Sequence, residues 1–511
     1  MGRIKEESVL SKISRWNSTE MKLLGGLVAI IGGTYLFPAL YAFLNGENTF
    51  IFLTPAVPMM IFGTIVYLLF APSINFRTVN GLITVALAWI VMFVCGSFPY
   101  IMLNFPLIDA AFESVNGFTT TGCSTIDDVY AYPISILIWR SLTQWLGGIA
   151  VVIIFMYILP MFGMGRSFFS NELEGSGNNR FSMKLRSAAK SFILVYVLLS
   201  FLNFIILMLL NVPLVDSICL SLTTISTGGS IVSNNSMMDF SLAVQIVTMF
   251  FMFIGAVNFY LHFKAIYGKN LKEYYHNKEI KLLLGWYVFA ALVIFVLYAF
   301  PIFNTGSVPP SEYGETFKNS LFMAISLGTT TGAFVIDTTA APEIIMFLFI
   351  VLMMIGGSAG STAGGIKITR VRLILKFFHN NLKNILHPNA VYTVKVDGED
   401  VDDSRVLSAV SIMLLYLGTT FVAIIFLLPN WGWEESLGMA VGSITNTGIG
   451  FGTIGEAGTY SFIDPVTKGF LMLLMWIGRL EISLALVFLT PTFWHELRMN
   501  MRYSNFFKKS Q

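Results

Sequence analysis

Charge is what this chain has little of. Asp, Glu, Lys and Arg together make up 12% of its 511 residues, against about 25% in an ordinary soluble domain. Too few charges remain to coat several globular surfaces, which excludes the soluble multidomain protein that length alone would suggest. Cysteine and histidine are scarce as well. Cys95, Cys123 and Cys219 show no CxxC or zinc spacing, so neither a disulfide framework nor a metal cage is implied. His262, His276, His379, His387 and His495 all stand where apolar blocks give way to Lys/Arg-rich stretches, and they read as interfacial residues rather than a catalytic cluster. A formal net charge of +2 removes any bulk preference for nucleic acid or acidic partners.

What fills the chain is apolar: hydrophobic residues reach 55%, with 46 Phe and 25 Met. They lie in blocks about twenty residues long, the length a helix needs to cross a ~30 Å hydrocarbon core. Ten blocks stand at roughly 23–44, 50–71, 81–103, 132–162, 191–211, 241–265, 282–303, 343–375, 406–428 and 467–490. The expected fold class is therefore an all-α polytopic membrane protein with ten transmembrane helices in the lipid bilayer. The first block follows a basic amino terminus and carries no small-residue cleavage signature, so it reads as a retained span.

The few basic residues are unevenly distributed. Alternate linkers hold Arg77; then Arg166, Arg180, Lys184 and Arg186; then Lys269, Lys272, Lys278 and Lys281; then Arg370, Arg372, Lys376, Lys383 and Lys395; and finally Arg498, Arg502, Lys508 and Lys509. The opposite linkers, 45–49, 104–131, 212–240, 304–342 and 429–466, contain a single basic residue, Lys318. The positive-inside rule then puts both termini in the cytoplasm and makes the protein a multi-pass component of the cytoplasmic (inner) membrane.

Four of the five outer linkers share a short apolar stretch, a Thr/Ser/Gly turn and a polar return. The turns are Thr119-Thr120-Thr121-Gly122, Ser226-Thr227-Gly228-Gly229, Thr329-Thr330-Thr331-Gly332 and Thr445-Asn446-Thr447-Gly448. Each lead-in is about a dozen residues, too short to span, and so is a re-entrant candidate. The pattern recurs once per pair of spans, an internal repeat of helix, re-entrant loop and helix. It divides the chain into a two-helix leader (1–80), four repeats (81–165, 166–268, 269–386 and 406–511) and a cytoplasmic segment between (387–405).

Non-helical backbone at membrane depth is tolerated only where protein buries it or water lines it, so the four loops are best placed facing one axis. Glycine lets successive carbonyls point the same way, and stacked carbonyl rings replace the hydration shell of a monovalent cation. The lead-in helices would aim their negative carboxyl ends at that ion. The expected filter comprises Thr120, Thr121, Gly122, Ser226, Thr227, Gly228, Thr330, Thr331, Gly332, Asn446, Thr447 and Gly448. Acidic residues of the outer linkers, among them Asp127, Asp128, Asp239, Glu434 and Glu435, would concentrate cations at the mouth.

These residues resemble the Trk/Ktr/HKT superfamily of potassium transporters, and most closely a TrkH-type membrane subunit. The resemblance runs through Phe118–Gly122, Gln144-Trp145-Leu146-Gly147-Gly148, Ser226–Gly229, Thr329–Gly332, Gly356–Lys367, Asn446–Gly448 and Gly478-Arg479-Leu480-Glu481. The two-span leader matches the TrkH type rather than the shorter Ktr type. The chain departs from the family pattern at Cys123, Ala333, Thr447 and Ile449. The resemblance implies potassium uptake with four filter glycines, K⁺ as the transported ion, a homodimer, and a cytoplasmic nucleotide-binding regulatory subunit (TrkA-like). Any nucleotide dependence would then belong to that partner, and no nucleotide site is expected in this chain.

A gate is also legible. The span beginning near Glu343 breaks at Gly356, about 20 Å in at helical rise, and Gly356, Gly357, Gly360, Gly364, Gly365 and Lys367 mark the break. A nucleotide loop is excluded there, because Lys367 follows Gly365-Ile366 without the Gly-Lys-Ser/Thr order. Arg479 lies at a comparable depth in the last span, where an intramembrane charge is functional by default. The loop is expected to obstruct the path and Arg479 to repel cations there. Arg479 and Glu481 are two residues apart, so they share no helix face and each needs a partner elsewhere. Arg140 reads as an anchor of its span or a partner of Glu113.

The stretch from Val391 to Val396 alternates and meets Asp397-Gly398, which is compatible with either a cytoplasmic hairpin or a solvated linker. Two other classes stand as alternatives. A Na⁺- or H⁺-coupled secondary transporter of a small solute would want inverted repeats and midplane carboxylates; an intramembrane enzyme would want a placed nucleophile and base. The pattern favours neither.

Overall fold

The structure is a computed structural model that describes residues 18–71, 78–158, 178–268, 270–300, 308–336, 341–387, 393–396, 399–457 and 459–499. The amino-terminal residues 1–17, Arg77, Arg166, Lys269, Asp337, the Val391-Tyr392 pair, the Asp397-Gly398 turn and the basic tail with Arg502, Lys508 and Lys509 lie outside them.

The protein is an all-α polytopic membrane protein. Its helices are α1 (Ser18–Thr34), α2 (Leu36–Leu44), α3 (Phe50–Leu69), α4 (Thr78–Met102), α5 (Leu107–Thr119), α6 (Ile134–Ile158), α7 (Asn178–Leu209), α8 (Leu214–Ile225), α9 (Leu242–Ala256), α10 (Phe259–Tyr267), α11 (Lys272–His276), α12 (Lys278–Ala299), α13 (Tyr313–Gly328), α14 (Glu343–Ile355) and α15 (Ile368–Leu386). After a small hairpin follow α16 (Asp403–Leu427), α17 (Trp433–Ile444), α18 (Thr453–Ala457), α19 (Pro465–Arg479) and α20 (Ile482–Val487). Among the described residues seven helices are long and apolar enough to cross a membrane, or eight if the bent pair α9 and α10 is one span.

Three of the expected blocks are broken rather than continuous. Block 343–375 splits at Gly356, as the glycine run implies, and block 467–490 splits between Arg479 and Ile482. Block 241–265 was expected to be one helix, but it bends by 99° between Ala256 and Phe259. The cause is Asn258, whose side-chain oxygen accepts the amide hydrogen of Tyr260 at 2.9 Å and starts a new helix. Of the two readings of segment 387–405, the hairpin is the one realised: β1 (Val394–Val396) pairs antiparallel with β2 (Glu399–Val401), Lys395 opposite Asp400.

The chain divides into two compact units. The first holds residues 1–114, 133–139 and 483–511. Within it α1 and α3 approach closely at Gly63, where a β-carbon would lie 2.5 Å from the Ala29 nitrogen. Tyr35 packs edge-on against Trp139 with ring centroids 4.4 Å apart, and the Trp139 indole donates to the Gly96 carbonyl at 3.2 Å. The second unit, residues 115–132 and 140–482, contains the whole candidate site.

Candidate functional site

Each short lead-in helix ends the same way. After α8, α13 and α17, and likewise after α5, one residue takes a left-handed φ: Thr120 (54°), Thr227 (53°), Thr330 (54°) and Asn446 (55°). The next amide turns back five residues, Thr121 to Asn116, Gly228 to Thr223, Thr331 to Ser326 and Thr447 to Gly442, at 2.8–3.1 Å. This is a Schellman-type cap, which normally carries glycine at the left-handed position. Here threonine or asparagine occupies it, at a cost of about 1–2 kcal/mol each. A second left-handed residue follows two positions on, and it is glycine in all four loops: Gly122, Gly229, Gly332 and Gly448.

That register corrects one expectation. In the second loop the equivalents of Thr120, Thr121 and Gly122 are Thr227, Gly228 and Gly229, one residue later than the expected Ser226, Thr227 and Gly228. Two adjacent glycines made the choice ambiguous in the sequence, and the backbone resolves it. The same register appears between loops. A β-carbon on Gly229 would lie 2.0 Å from the Thr331 oxygen, one on Gly332 1.9 Å from the Thr447 oxygen, and one on Gly448 2.1 Å from the Thr121 oxygen. On Gly122 it would lie 2.9 Å from the Gly228 oxygen. The four loops thus close a ring in sequence order, each glycine's missing side chain making room for a carbonyl of the next loop.

Hydroxyls brace three of the four strands. Thr119 and Thr121, Thr329 and Thr331, and Thr445 and Thr447 are each joined Oγ1 to Oγ1 at 2.8 Å. Outside the ring, a cavity of about 130 Å³ is lined by Gly122, Gly229, Gly332, Gly448, Asp127 and Arg140, among others. Arg140 therefore faces this outer cavity, where a role as span anchor alone would not have put it. The return segments are stitched together there: the Val129 amide and the Asp128 carboxylate both bond Asn234, and the Met237 amide bonds the Phe334 carbonyl. The Asn234 amide and the Tyr130 N–H hold the Asp128 carboxyl below its ordinary range, and Ser233 and Asn235 do the same for Asp239. Both loop carboxylates therefore stay charged at neutral pH.

On the other side of the ring lies the glycine break. Gly356 (φ 69°), Gly360 (75°) and Gly365 (75°) adopt conformations closed to other residues without strain, and Lys367 shares one at 82°. The loop reaches the ends of three lead-in helices. Thr362 Oγ1 donates to the Ile225 and Gly255 carbonyls, both at 2.9 Å, and the Gly364 amide donates to Thr330 Oγ1 at 2.6 Å. A β-carbon on Gly364 would meet the Thr445 oxygen at 1.9 Å, so the loop's backbone sits directly against the fourth loop. The bend between α9 and α10 holds the loop from another side: Ser358 N–H bonds the Ala256 carbonyl at 2.9 Å, and Phe259 N–H bonds the Gly360 carbonyl at 3.0 Å.

Arg479 reaches the loop, donating from Nη1 to the Thr362 carbonyl at 2.8 Å. Neighbouring Gly478 lets α19 approach the fourth loop, since a β-carbon there would lie 2.0 Å from the Ile444 oxygen. Glu481 finds its partner in Arg370, Nη2 to Oε2 at 2.5 Å. Lys367 is buried and bonds the Ala363 carbonyl. Arg479, Lys367, Arg370 and Glu481 border a cavity of about 30 Å³ with Asn446 and Tyr416. Thr362, Thr330 and Arg370 were not among the expected gate residues. The one signal for Thr362 was its place at the centre of the glycine run. His262 also departs from expectation: it is fully buried, bonded to the Ile254 carbonyl at 2.9 Å and the Tyr274 hydroxyl at 2.7 Å.

A polytopic helical chain in which four capped loops close one ring of glycines and carbonyls, with a basic, glycine-rich break packed against it, has the architecture of a membrane transport protein rather than an enzyme. The comparison with known proteins makes that class specific. The family model for TrkH, a cation transport protein, matches residues 49–495. This chain belongs to the TrkH family. It is 30% identical over 489 residues to the Trk system potassium uptake protein TrkH of Salmonella typhimurium, spanning 93% of this chain and 99% of that one. Identity is 31% over 492 residues to the protein of the same name from Vibrio parahaemolyticus, spanning 93% and 98%. The crystal structure of the potassium transporter TrkH from Vibrio parahaemolyticus superposes with a TM-score of 0.83 at 28% identity, covering 93% of this chain and 99% of that chain.

Proposed function

We propose that this protein takes up potassium across the cytoplasmic membrane, the ion passing along the axis of the four-loop ring. The observation that carries the reading is the closed succession Gly122, Gly229, Gly332 and Gly448, each packed against a carbonyl of the following loop. Carbonyls held at fixed spacing by the loops' own backbone can replace a cation's water without a charged side chain. Thr120, Thr121, Thr227, Gly228, Thr330, Thr331, Asn446 and Thr447 supply the rest of the filter, and Ser226 ends the second lead-in helix, its hydroxyl donating to the Leu222 and Thr223 carbonyls. The relatives' names as potassium uptake proteins support K⁺ as the ion.

The closed state is held by the 356–367 loop. The Thr362 hydroxyl ties it to the Ile225 and Gly255 carbonyls, the Gly364 amide ties it to Thr330, and Arg479 places a positive charge beside it. Opening requires this loop to leave the lead-in helix ends. A cytoplasmic nucleotide-binding subunit, docking on the hairpin 394–401 and the basic helix ends of a homodimer, would supply the force. Ten membrane crossings, with the broken helices counted as crossings and both termini cytoplasmic, complete the arrangement. The test is rubidium or potassium uptake in a potassium-uptake-deficient cell supplied with the partner, comparing the unsubstituted chain with Gly122→Ser. The expected result is uptake that the substitution reduces or opens to Na⁺; absence of uptake of either ion overturns the reading.

A further inference from the structure

The second loop lacks the brace that the other three carry. Where Thr121, Thr331 and Thr447 bond the hydroxyl two residues earlier, the second loop has Gly228, with no side chain at all. The vacancy is filled from α6. A β-carbon on Gly228 would lie 2.3 Å from Gln144 Oε1, so the Gln144 carboxamide occupies the volume that a threonine takes in the other loops. Gln144 is fully buried, and its carboxamide nitrogen and oxygen both bond this strand. Its Nε2 donates to the Gly228 carbonyl at 2.7 Å and to Ser230 Oγ at 2.6 Å, and its Oε1 accepts the Ser230 N–H at 3.3 Å.

The contact has a consequence in the ring. Three carbonyls, those of Thr121, Thr331 and Thr447, stand 1.9–2.1 Å from the β-carbon position of the adjoining glycine, whereas the Gly228 carbonyl stands 2.9 Å away. The carbonyl that accepts from Gln144 is thus the one set apart from its three equivalents. A carbonyl oxygen that already accepts a hydrogen bond is also a weaker ligand for a cation, because the N–H dipole opposes the ion's field.

We infer that Gln144 is a positioning residue for ion selection: it braces the second filter strand in place of the missing hydroxyl pair and sets how far the Gly228 carbonyl stands from the ion. The inference deepens the potassium-uptake reading and rests on it. Gly228 has no left-handed φ, and the three atoms nearest to a β-carbon there all belong to Gln144, so truncating Gln144 removes the nearest obstacle to a side chain at 228. The arrangement can therefore be exchanged for that of the other three loops.

The test measures rubidium and sodium uptake, as half-saturating concentration and as the ratio between ions, at matched membrane abundance, in the full chain with its partner. In Gln144→Met, which keeps the bulk and loses the donor, the rubidium-to-sodium ratio should fall about five- to tenfold, the size of a lost buried hydrogen bond. In the double variant Gln144→Ala with Gly228→Thr the ratio should return to within about twofold of the unsubstituted chain. Its half-saturating concentration should drop below the unsubstituted value, since the carbonyl no longer accepts from an amide; a merely structural brace would leave that constant where it was. Gln144→Leu serves as the second donor-free variant if Gln144→Met is not made in the membrane. An unchanged ratio and half-saturating concentration in a donor-free variant, or a double variant no better than Gln144→Ala, overturns the inference while the uptake reading stands. No uptake by the unsubstituted chain overturns both.

Discussion

The guanidinium of Arg479 donates a hydrogen bond of 2.8 Å to the carbonyl of Thr362, tying the last long helix to the middle of the glycine loop. The Thr362 hydroxyl in turn donates to the Ile225 carbonyl at the end of α8, so two side chains, Arg479 and Thr362, link α19, the loop and the second lead-in helix. Arg479 and the glycine loop are therefore a single hydrogen-bonded assembly, and its members make separable predictions.

Arg479→Ala removes a charge-assisted hydrogen bond and the positive charge beside the glycine loop. Hydrogen bonds to charged groups contribute about 1.5–3 kcal/mol, so rubidium uptake without a stimulating partner should rise on the order of tenfold. Arg479→Lys should fall between. Flux equal to that of the unsubstituted chain would show that the residue does not hold the closed state.

Gly229→Ala should damage uptake more than Gly228→Ala. At 229 the added carbon meets a backbone carbonyl at 2.0 Å and the left-handed φ of 72° strains any side chain. At 228 the obstacle is the side chain of Gln144 and no left-handed φ is required. Uptake kinetics of the two variants at matched abundance decide the register; a larger loss at 228 would reverse it.

The Arg370–Glu481 pair is mostly buried, with side chains 13% and 27% exposed. Removing one partner leaves the other underpaired, so Glu481→Gln should lower stability by about 1–3 kcal/mol. Thermal unfolding of the detergent-solubilised protein reads this, and a cycle with Arg370→Gln should show that the two losses do not add.

Asp464 caps α19 by accepting the Thr467 amide at 2.9 Å, and that bond holds its carboxyl below the ordinary range. With the folded value depressed, its contribution is complete above the unfolded-state value of about 3.9 and is lost as pH falls through the folded value. Asp464→Ala should therefore cost about 1 kcal/mol at neutral pH, and the gap should close in acid. Unfolding midpoints of both proteins across the acid range test the sign.

The hydrophobic blocks, the alternation of basic linkers and the four Thr/Gly turns were readable because each follows from composition or spacing along the chain. The glycine break was readable for the same reason: no continuous helix accommodates Gly356, Gly357, Gly360, Gly364 and Gly365 so close together. What escaped depends on contacts between distant segments. Gly228 and Gly229 are equivalent by composition, and only packing against Thr331 distinguishes them. The bend at Asn258 lay hidden in an apolar block, although one asparagine amid Ala256, Val257 and Phe259 was its signal, a capping residue where a buried helix face wants none. Arg370 as the partner of Glu481 could not be read at all, since 111 residues separate them.

Potassium flux into liposomes holding the purified protein is the most direct test of the ring as the ion path. The account predicts flux carried by K⁺ and Rb⁺ in preference to Na⁺, lost or made non-selective by Gly332→Ala, whose added carbon would lie 1.9 Å from the Thr447 carbonyl. Flux that retained its full rate and ion preference in Gly332→Ala would contradict it.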